Sequence, residues 1–341
     1  MQLYTIPTLY CPFPVVIHPL VNEIEEHTNQ WVLDFKLIES YETFVKFKAS
    51  RFGHFIARSF PTADFISISA WSDLNALLFI VDDQIDAQDI IKDKESFYEF
   101  ENGFFRVLEQ NQECTIEGDG NVLAALSDFW LRIIQCSERR WQLKFIKGVK
   151  DMFDGGMWQF EHVAKGIKPD LEEYLKVRQY FGAAHLSTDA LEGIAKIYLP
   201  EEVYRDPIVH RLTEICRNTI CFSNDLFSFG KEIEEQNNGA EFNLVMILKH
   251  KYHLTIEDAI LKAANIHDDL VREFIRLSSM AFKYDSEINS ILQVYVDALG
   301  KLMRGNIEWS TRETRRYPHI YQFAESDQIF PDHEYYNPIS G

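Results

Sequence analysis

The sequence predicts an all-α protein folded as one domain over residues 1–341, and three observations carry that expectation. Apolar residues recur with helical period in nearly every segment. No segment shows a convincing strand pattern. Turn signals rather than linkers or low-complexity blocks separate the periodic runs: Gly118-Asp119-Gly120, Lys168-Pro169-Asp170, Leu199-Pro200 and Asn237-Asn238-Gly239. Two packed domains are the alternative for a chain of 341 residues.

Residues 1–20 carry Pro7, Pro12, Pro14 and Pro19, which interrupt any signal-like apolar run, so a loosely held lead is expected. Helical periodicity begins over residues 21–35 and resumes over 41–48. Pro61 and Thr62 suit the start of a long helix. Its second half, through Leu77, Leu78, Phe79, Ile80 and Val81, is apolar on almost every side, which implies burial. That helix ends in Asp82-Asp83-Gln84-Ile85-Asp86. No apolar stretch is read as approaching the roughly 20 residues of a membrane span, so stable insertion into a bilayer is not expected. Further helices are expected over residues 96–110, 121–147, 149–165, 171–198 with a break at Gly182, 208–235, 243–251, 255–264, 268–282 and 286–304. Residues 318–341 contain Pro331 and Pro338 among aromatics and acids and read as a loosely held tail.

A net charge of -19 leaves no basic excess to displace counterions, which argues against a nucleic-acid partner and is compatible with divalent cations. The five cysteines contain no CxxC pair, so neither a disulfide framework nor a zinc site is expected and a reducing cytoplasm is the simplest setting. The content of 26 Phe, 15 Tyr and 6 Trp is high enough for some rings to line a cavity.

Asn224, Ser228 and Glu232 fall at i, i+4 and i+8 within one long helix, where they drift only about 80° around its axis. An amide oxygen, a hydroxyl and a carboxylate in a row are hard donors suited to Mg²⁺. A solvated helix face would give the same stripe, so a second cluster has to decide. Asp82, Asp83 and Asp86 sit at a helix carboxyl end, where the macrodipole disfavours negative charge. Asp82 and Asp86 share a face and can bridge metal ions, whereas Asp83 points about 100° away. Asp268, Asp269 and Glu273 are the control: with Asn265 as a cap they fall near a helix start, where acids need no metal.

These residues resemble the bacterial-type class I terpene synthase family. Asp82-Asp83-Gln84-Ile85-Asp86 is similar to its aspartate-rich motif, and the segment Asn224 to Glu232 matches its second metal motif at every defining position. Arg178 and Gly182 stand where the family has its diphosphate-sensing arginine and effector glycine, and Arg316-Tyr317 resembles its carboxyl-terminal RY pair. Phe181 departs from the polar or small residue often found between sensor and effector.

The resemblance implies a single helical bundle around a deep apolar pocket with the metal motifs at its mouth. It further implies three Mg²⁺ ions held by Asp82, Asp86, Asn224, Ser228 and Glu232. Arg178, Lys231, Arg316 and Tyr317 would bind the diphosphate of a linear isoprenyl substrate, farnesyl or geranylgeranyl diphosphate. Asp82, Arg178, Glu232 and Tyr317 would carry the ionisation, and Asp83 would pair with a lysine or arginine. Phe79 is the first wall candidate, ahead of Trp309 and of Trp158 or Phe153, and Asn237-Asn238-Gly239 is a candidate lid hinge. The product would be a sesquiterpene or diterpene hydrocarbon or alcohol, and a homodimer is left open. The rivals are a chain-elongating prenyltransferase, which would carry a second DDxxD in place of the 224–232 motif, and a catalytically silent isoprenoid-binding helical protein.

Overall fold

The computed structural model describes residues 3–86, 91–235 and 238–322. The Asp86 and Asn238 side chains, Asn237, and residues 323–341 with Pro331 and Pro338 lie outside the described residues. A short strand β1 (Tyr4–Ile6) precedes α1 (Val21–Asp34), α2 (Tyr41–Ser50), α3 (Phe52–Ser59) and α4 (Phe65–Asp86). The middle of the chain forms α5 (Lys94–Gln110), α6 (Ile116–Asp119), α7 (Asn121–Ile134), α8 (Arg139–Lys165), α9 (Leu171–Phe181), α10 (Ala184–Gly193) and α11 (Glu201–Tyr204). The last third holds α12 (Pro207–Glu235), a 3₁₀ turn at Asn238–Phe242, α13 (Leu244–Tyr252), α14 (Ile256–Ala281), α15 (Ser286–Glu308), a π-helical turn at Trp309–Glu313 and β2 (Ile320–Gln322). The all-α class therefore holds, with one addition among the described residues: β1 and β2 pair in parallel, Tyr4 opposite Ile320.

Helix α12 packs against α14, α15, α10, α9 and α13, while α4 packs against α1, α7 and α3. One contiguous apolar cluster runs through all of them. Phe65–Ile85 is, against the expectation, long and apolar enough by length and composition to cross a membrane, but 67% of that window is buried inside the protein. It is the apolar inner wall of the bundle.

Several boundaries differ from those the sequence predicts, each for a physical reason. Arg51 adopts a left-handed conformation, φ 55°, and divides α2 from α3, a helix too short to show a period. The long helix starts at Phe65 rather than Pro61, because the Asp64 carboxylate accepts from the Ser67 backbone N–H at 2.9 Å. Helix α8 runs through Gly148, where a break was expected. A Cβ there would lie 2.8 Å from Leu186 Cδ2, so the glycine marks the close crossing of α10.

Helix α14 is continuous, so Asp268, Asp269 and Glu273 lie within it rather than at a capped start. Tertiary partners hold two of these acids: Asp268 accepts from the Tyr10 backbone N–H at 2.8 Å, and Glu273 from Arg211 Nε and Nη2 at 2.9 and 2.8 Å. The lead, expected to be loosely held, is packed: Tyr4, Ile6, Leu9 and Cys11 are buried. Pairing with β2 satisfies its backbone, and the Tyr4 ring meets Phe229 edge-on at 5.0 Å. Gly230 leaves the room for this strap, since a Cβ there would stand 2.3 Å from His319 Cβ.

Candidate active site

A cavity of about 630 Å³ opens between these helices. On α4 its lining follows one stripe, Trp71, Asn75, Leu78, Phe79 and Asp82, spaced three or four residues apart. Asn224 and Glu232 of α12, with Arg178 of α9, line the same cavity. The two clusters, remote in sequence, thus face one space.

The α12 stripe is held by internal hydrogen bonds. Ser228 Oγ donates to Glu232 Oε1 at 2.5 Å, so these two oxygen donors converge. Asn243 Nδ2 donates to Glu232 Oε2 at 2.9 Å and to the Asp225 carbonyl at 2.7 Å, while its Oδ1 caps α13 by accepting from Val245 at 2.9 Å. Burial pushes the Glu232 carboxyl up to about 7, with the Ser228 hydrogen bond opposing the rise and the Asp225 charge adding to it. Asn224 accepts from Arg178 Nη2 at 3.2 Å and donates to the Tyr317 hydroxyl at 2.9 Å.

Asp225 faces away from the stripe. It accepts from Arg178 Nε at 2.9 Å and Nη2 at 2.8 Å, from the Leu244 backbone N–H at 3.1 Å, and from the Tyr174 hydroxyl. Arg178 is only 8% exposed. A Cβ on Gly182 would lie 1.9 Å from Arg178 Nη1, so the glycine creates the space this guanidinium fills. The Arg178 guanidinium carbon also stands 4.8 Å from the Phe181 ring centroid, which makes Phe181 a cation–π partner rather than an interruption.

The end of α4 is arranged differently. The Asp82 carboxyl, although it opens onto the cavity, is pushed up chiefly by the protein around it and by Asp83, against Arg316, Lys231 and Arg178. Asp83 accepts from Arg316 Nη1 and Nη2 at 2.9 and 2.6 Å and from Lys231 Nζ at 3.2 Å. Burial raises that carboxyl, but these two cations outweigh it and hold Asp83 below its ordinary value. The Arg316 guanidinium carbon lies 5.1 Å from the Phe79 ring centroid.

Phe79 and Trp309 both line the cavity. Phe79 stacks on Phe52 at 4.5 Å, and Trp309 Nε1 donates to the Ser50 and Arg51 carbonyls at 2.8 and 2.9 Å. Phe153 lines it too, edge-on to Phe104 at 5.2 Å. Trp158 is not among the lining residues: its Nε1 donates to Glu173 Oε1 at 2.6 Å and its ring packs on Phe181. Sequence reasoning missed Asn243, Asp225 and Tyr174. Asp225 adjoins the metal-type stripe, but nothing local marks the other two.

Among the described residues, three or more His, Cys, Asp or Glu side chains do not converge into a cage. The donors that do share the cavity, Asp82, Asn224 and Glu232, with Ser228 bonded to Glu232, are all oxygens. This set fits a hard divalent cation that keeps waters and completes its shell with phosphate oxygens.

Known proteins resemble this chain over about nine-tenths of its length. Residues 73–273 match Terpene synthase family 2, C-terminal metal binding, a span of more than half the chain. Germacrene A synthase of Nostoc punctiforme is 28% identical over 314 residues, 92% of this chain and 95% of its own length. The (+)-T-muurolol synthase of Roseiflexus castenholzii is 28% identical over 313 residues, 91% of this chain and 93% of its own. Linalool/nerolidol synthase from Streptomyces clavuligerus shares the fold, with a TM-score of 0.77 at 19% identity over 89% of this chain and 100% of that one. The chain thus belongs to terpene synthase family 2, enzymes of the terpene synthase class with a divalent-metal-binding C-terminal region.

Proposed function

We propose that this terpene synthase cyclises farnesyl diphosphate to a sesquiterpene in the 630 Å³ cavity, with three Mg²⁺ ions at its mouth. The observation that carries this reading is that Asp82, Asn224, Glu232 and Arg178 line the same cavity as Phe79, Phe153 and Trp309. Polar donors for a metal–diphosphate head and aromatic walls for a carbon chain are continuous. The choice of farnesyl diphosphate is supported by the T-muurolol synthase, whose name describes it as (2E,6E)-farnesyl diphosphate cyclizing.

Asp82, Asp86, Asn224, Ser228 and Glu232 would hold the ions, which when bound would make diphosphate a better leaving group by stabilising its developing charge. Arg178, Lys231, Arg316 and Tyr317 donate to diphosphate oxygens. Arginine's planar fork suits two oxygens at once, and Gly182 keeps the space in which Arg178 turns. Phe79, Trp309 and Phe153 then exclude water and offer ring faces, each contributing roughly 0.5–2 kcal/mol to an adjacent cation. One contiguous core supports a single catalytic domain, and the five free cysteines support a reducing, cytoplasmic setting.

Incubation with geranyl, farnesyl and geranylgeranyl diphosphates plus Mg²⁺, with products identified by gas chromatography and mass spectrometry, tests the reading. Cyclic C15 products from farnesyl diphosphate are expected. Longer linear diphosphates would establish a prenyltransferase instead, and binding without turnover would establish a silent isoprenoid-binding protein.

A further inference from the structure

Among the polar side chains that line the cavity, Asn75 stands apart. Asn306 donates to Ser223 Oγ at 2.8 Å and to the Ile220 carbonyl at 3.3 Å, Arg178 is bound to Asp225, and Asn224 is bound to Tyr317. The Asn75 Nδ2 is buried with no hydrogen-bond partner, and among the described residues no group bonds its Oδ1. A polar group left unmatched inside a helix core is ordinarily replaced by an apolar one, unless a ligand or a water completes it.

The position of Asn75 says which kind of ligand. It precedes Asp82 by seven residues on α4, so it shares that residue's face and lies about 10 Å deeper in the cavity. Trp71 stands one turn below it, and Leu78 and Phe79 one turn above. A diphosphate gripped at the mouth therefore cannot reach Asn75, whereas the hydrocarbon chain hanging from it passes directly alongside. The ligand at this depth is a small neutral donor–acceptor, and a cavity of about 630 Å³ has room for a water beside a carbon chain.

We propose that Asn75 holds a water molecule that captures the final carbocation, so that the principal product is a terpene alcohol. This rests on the cyclase reading of the preceding section. The Asn75 Oδ1 accepts one water hydrogen, which turns an oxygen lone pair toward the chain. That lone pair forms the C–O bond to the cationic carbon. The resulting oxonium passes its proton to the Asn75 Oδ1 that already accepts that hydrogen, a protonated alcohol being a stronger acid than a protonated amide, and the proton leaves to bulk water as the alcohol is released. Without the held water, the same cation loses a C–H proton and leaves as a hydrocarbon.

Turnover of farnesyl diphosphate with Mg²⁺ in H₂¹⁸O, by the wild type and by Asn75→Leu and Asn75→Ser, tests this. The wild type is expected to release mainly an alcohol carrying one ¹⁸O. Asn75→Leu should cut the labelled alcohol fraction by about tenfold in favour of hydrocarbons, with total turnover within about threefold. Its melting temperature should not fall, because an unmatched polar group has been removed. Asn75→Ser, which keeps an oxygen acceptor, should retain part of the alcohol. A purely hydrocarbon wild-type product, alcohol without ¹⁸O, or an unchanged alcohol fraction in Asn75→Leu would overturn the proposal. So would collapse of total turnover in both variants, which would place Asn75 in substrate positioning. Absence of turnover by the wild type with every isoprenyl diphosphate would instead overturn the cyclase reading itself.

Discussion

The stripe on α12 and the acidic end of α4 offer similar oxygen donors to one cavity, yet they are built on opposite plans. On α12 the donors run down the last three turns of a helix, and Glu232 is held from two sides by Ser228 and Asn243. At the end of α4, Asp82 opens onto the mouth, and its neighbour Asp83 is gripped by Arg316 and Lys231, the cations proposed above for the diphosphate. One half is a preformed socket. The other is a set of ion pairs on Asp83, whose cations would exchange that carboxylate for the diphosphate on the reading proposed above.

The comparison can be broken experimentally. If α12 is the anchor, Glu232→Gln should lower turnover by about 10³-fold and Asp82→Asn by about 10²-fold at saturating Mg²⁺, both with folded circular-dichroism spectra. Equal losses, or a larger loss in Asp82→Asn, would reverse the assignment. A loss of about 10²-fold in the single-turnover ionisation rate is expected for Arg178→Lys, because a point charge cannot reproduce the fork. Gly182→Ala should act in the same direction, since its Cβ would occupy space only 1.9 Å from Arg178 Nη1. Normal kinetics in Gly182→Ala would show that this space is not used. A smaller effect is expected for Asn243→Ala, which removes a partner of Glu232 and should weaken the apparent Mg²⁺ affinity by roughly 10–100-fold, read from the metal dependence of the rate. Asp83→Asn, which loosens Arg316 without touching the socket, should leave that metal dependence nearly unchanged.

Much of the site was legible because its spacing is local. Asn224, Ser228 and Glu232 declare one face at i, i+4 and i+8, and the break at Gly182 appears where α9 ends. What was hidden arrives from elsewhere in the chain. Asn243 reads as an ordinary helix cap until its amide is found on Glu232, and Tyr174 as a core aromatic until its hydroxyl is found on Asp225. The lead was misjudged from its prolines, because its partner, β2, lies at the other end of the sequence. Helix α14 was divided at Asn265 because a possible cap cannot be told from a helical asparagine without the packing around it.

By itself the sequence determined the all-helical class, the donor chemistry and the order of the motifs, since helical period and ligand spacing are settled within a few turns of chain. Only the tertiary structure decided which oxygens are preformed, which cations wait on Asp83, why Gly182 must lack a side chain, and that Asn75 is left unmatched deep in the cavity. Those depend on which distant helices meet, and at what distance, which close packing of the whole chain alone can set.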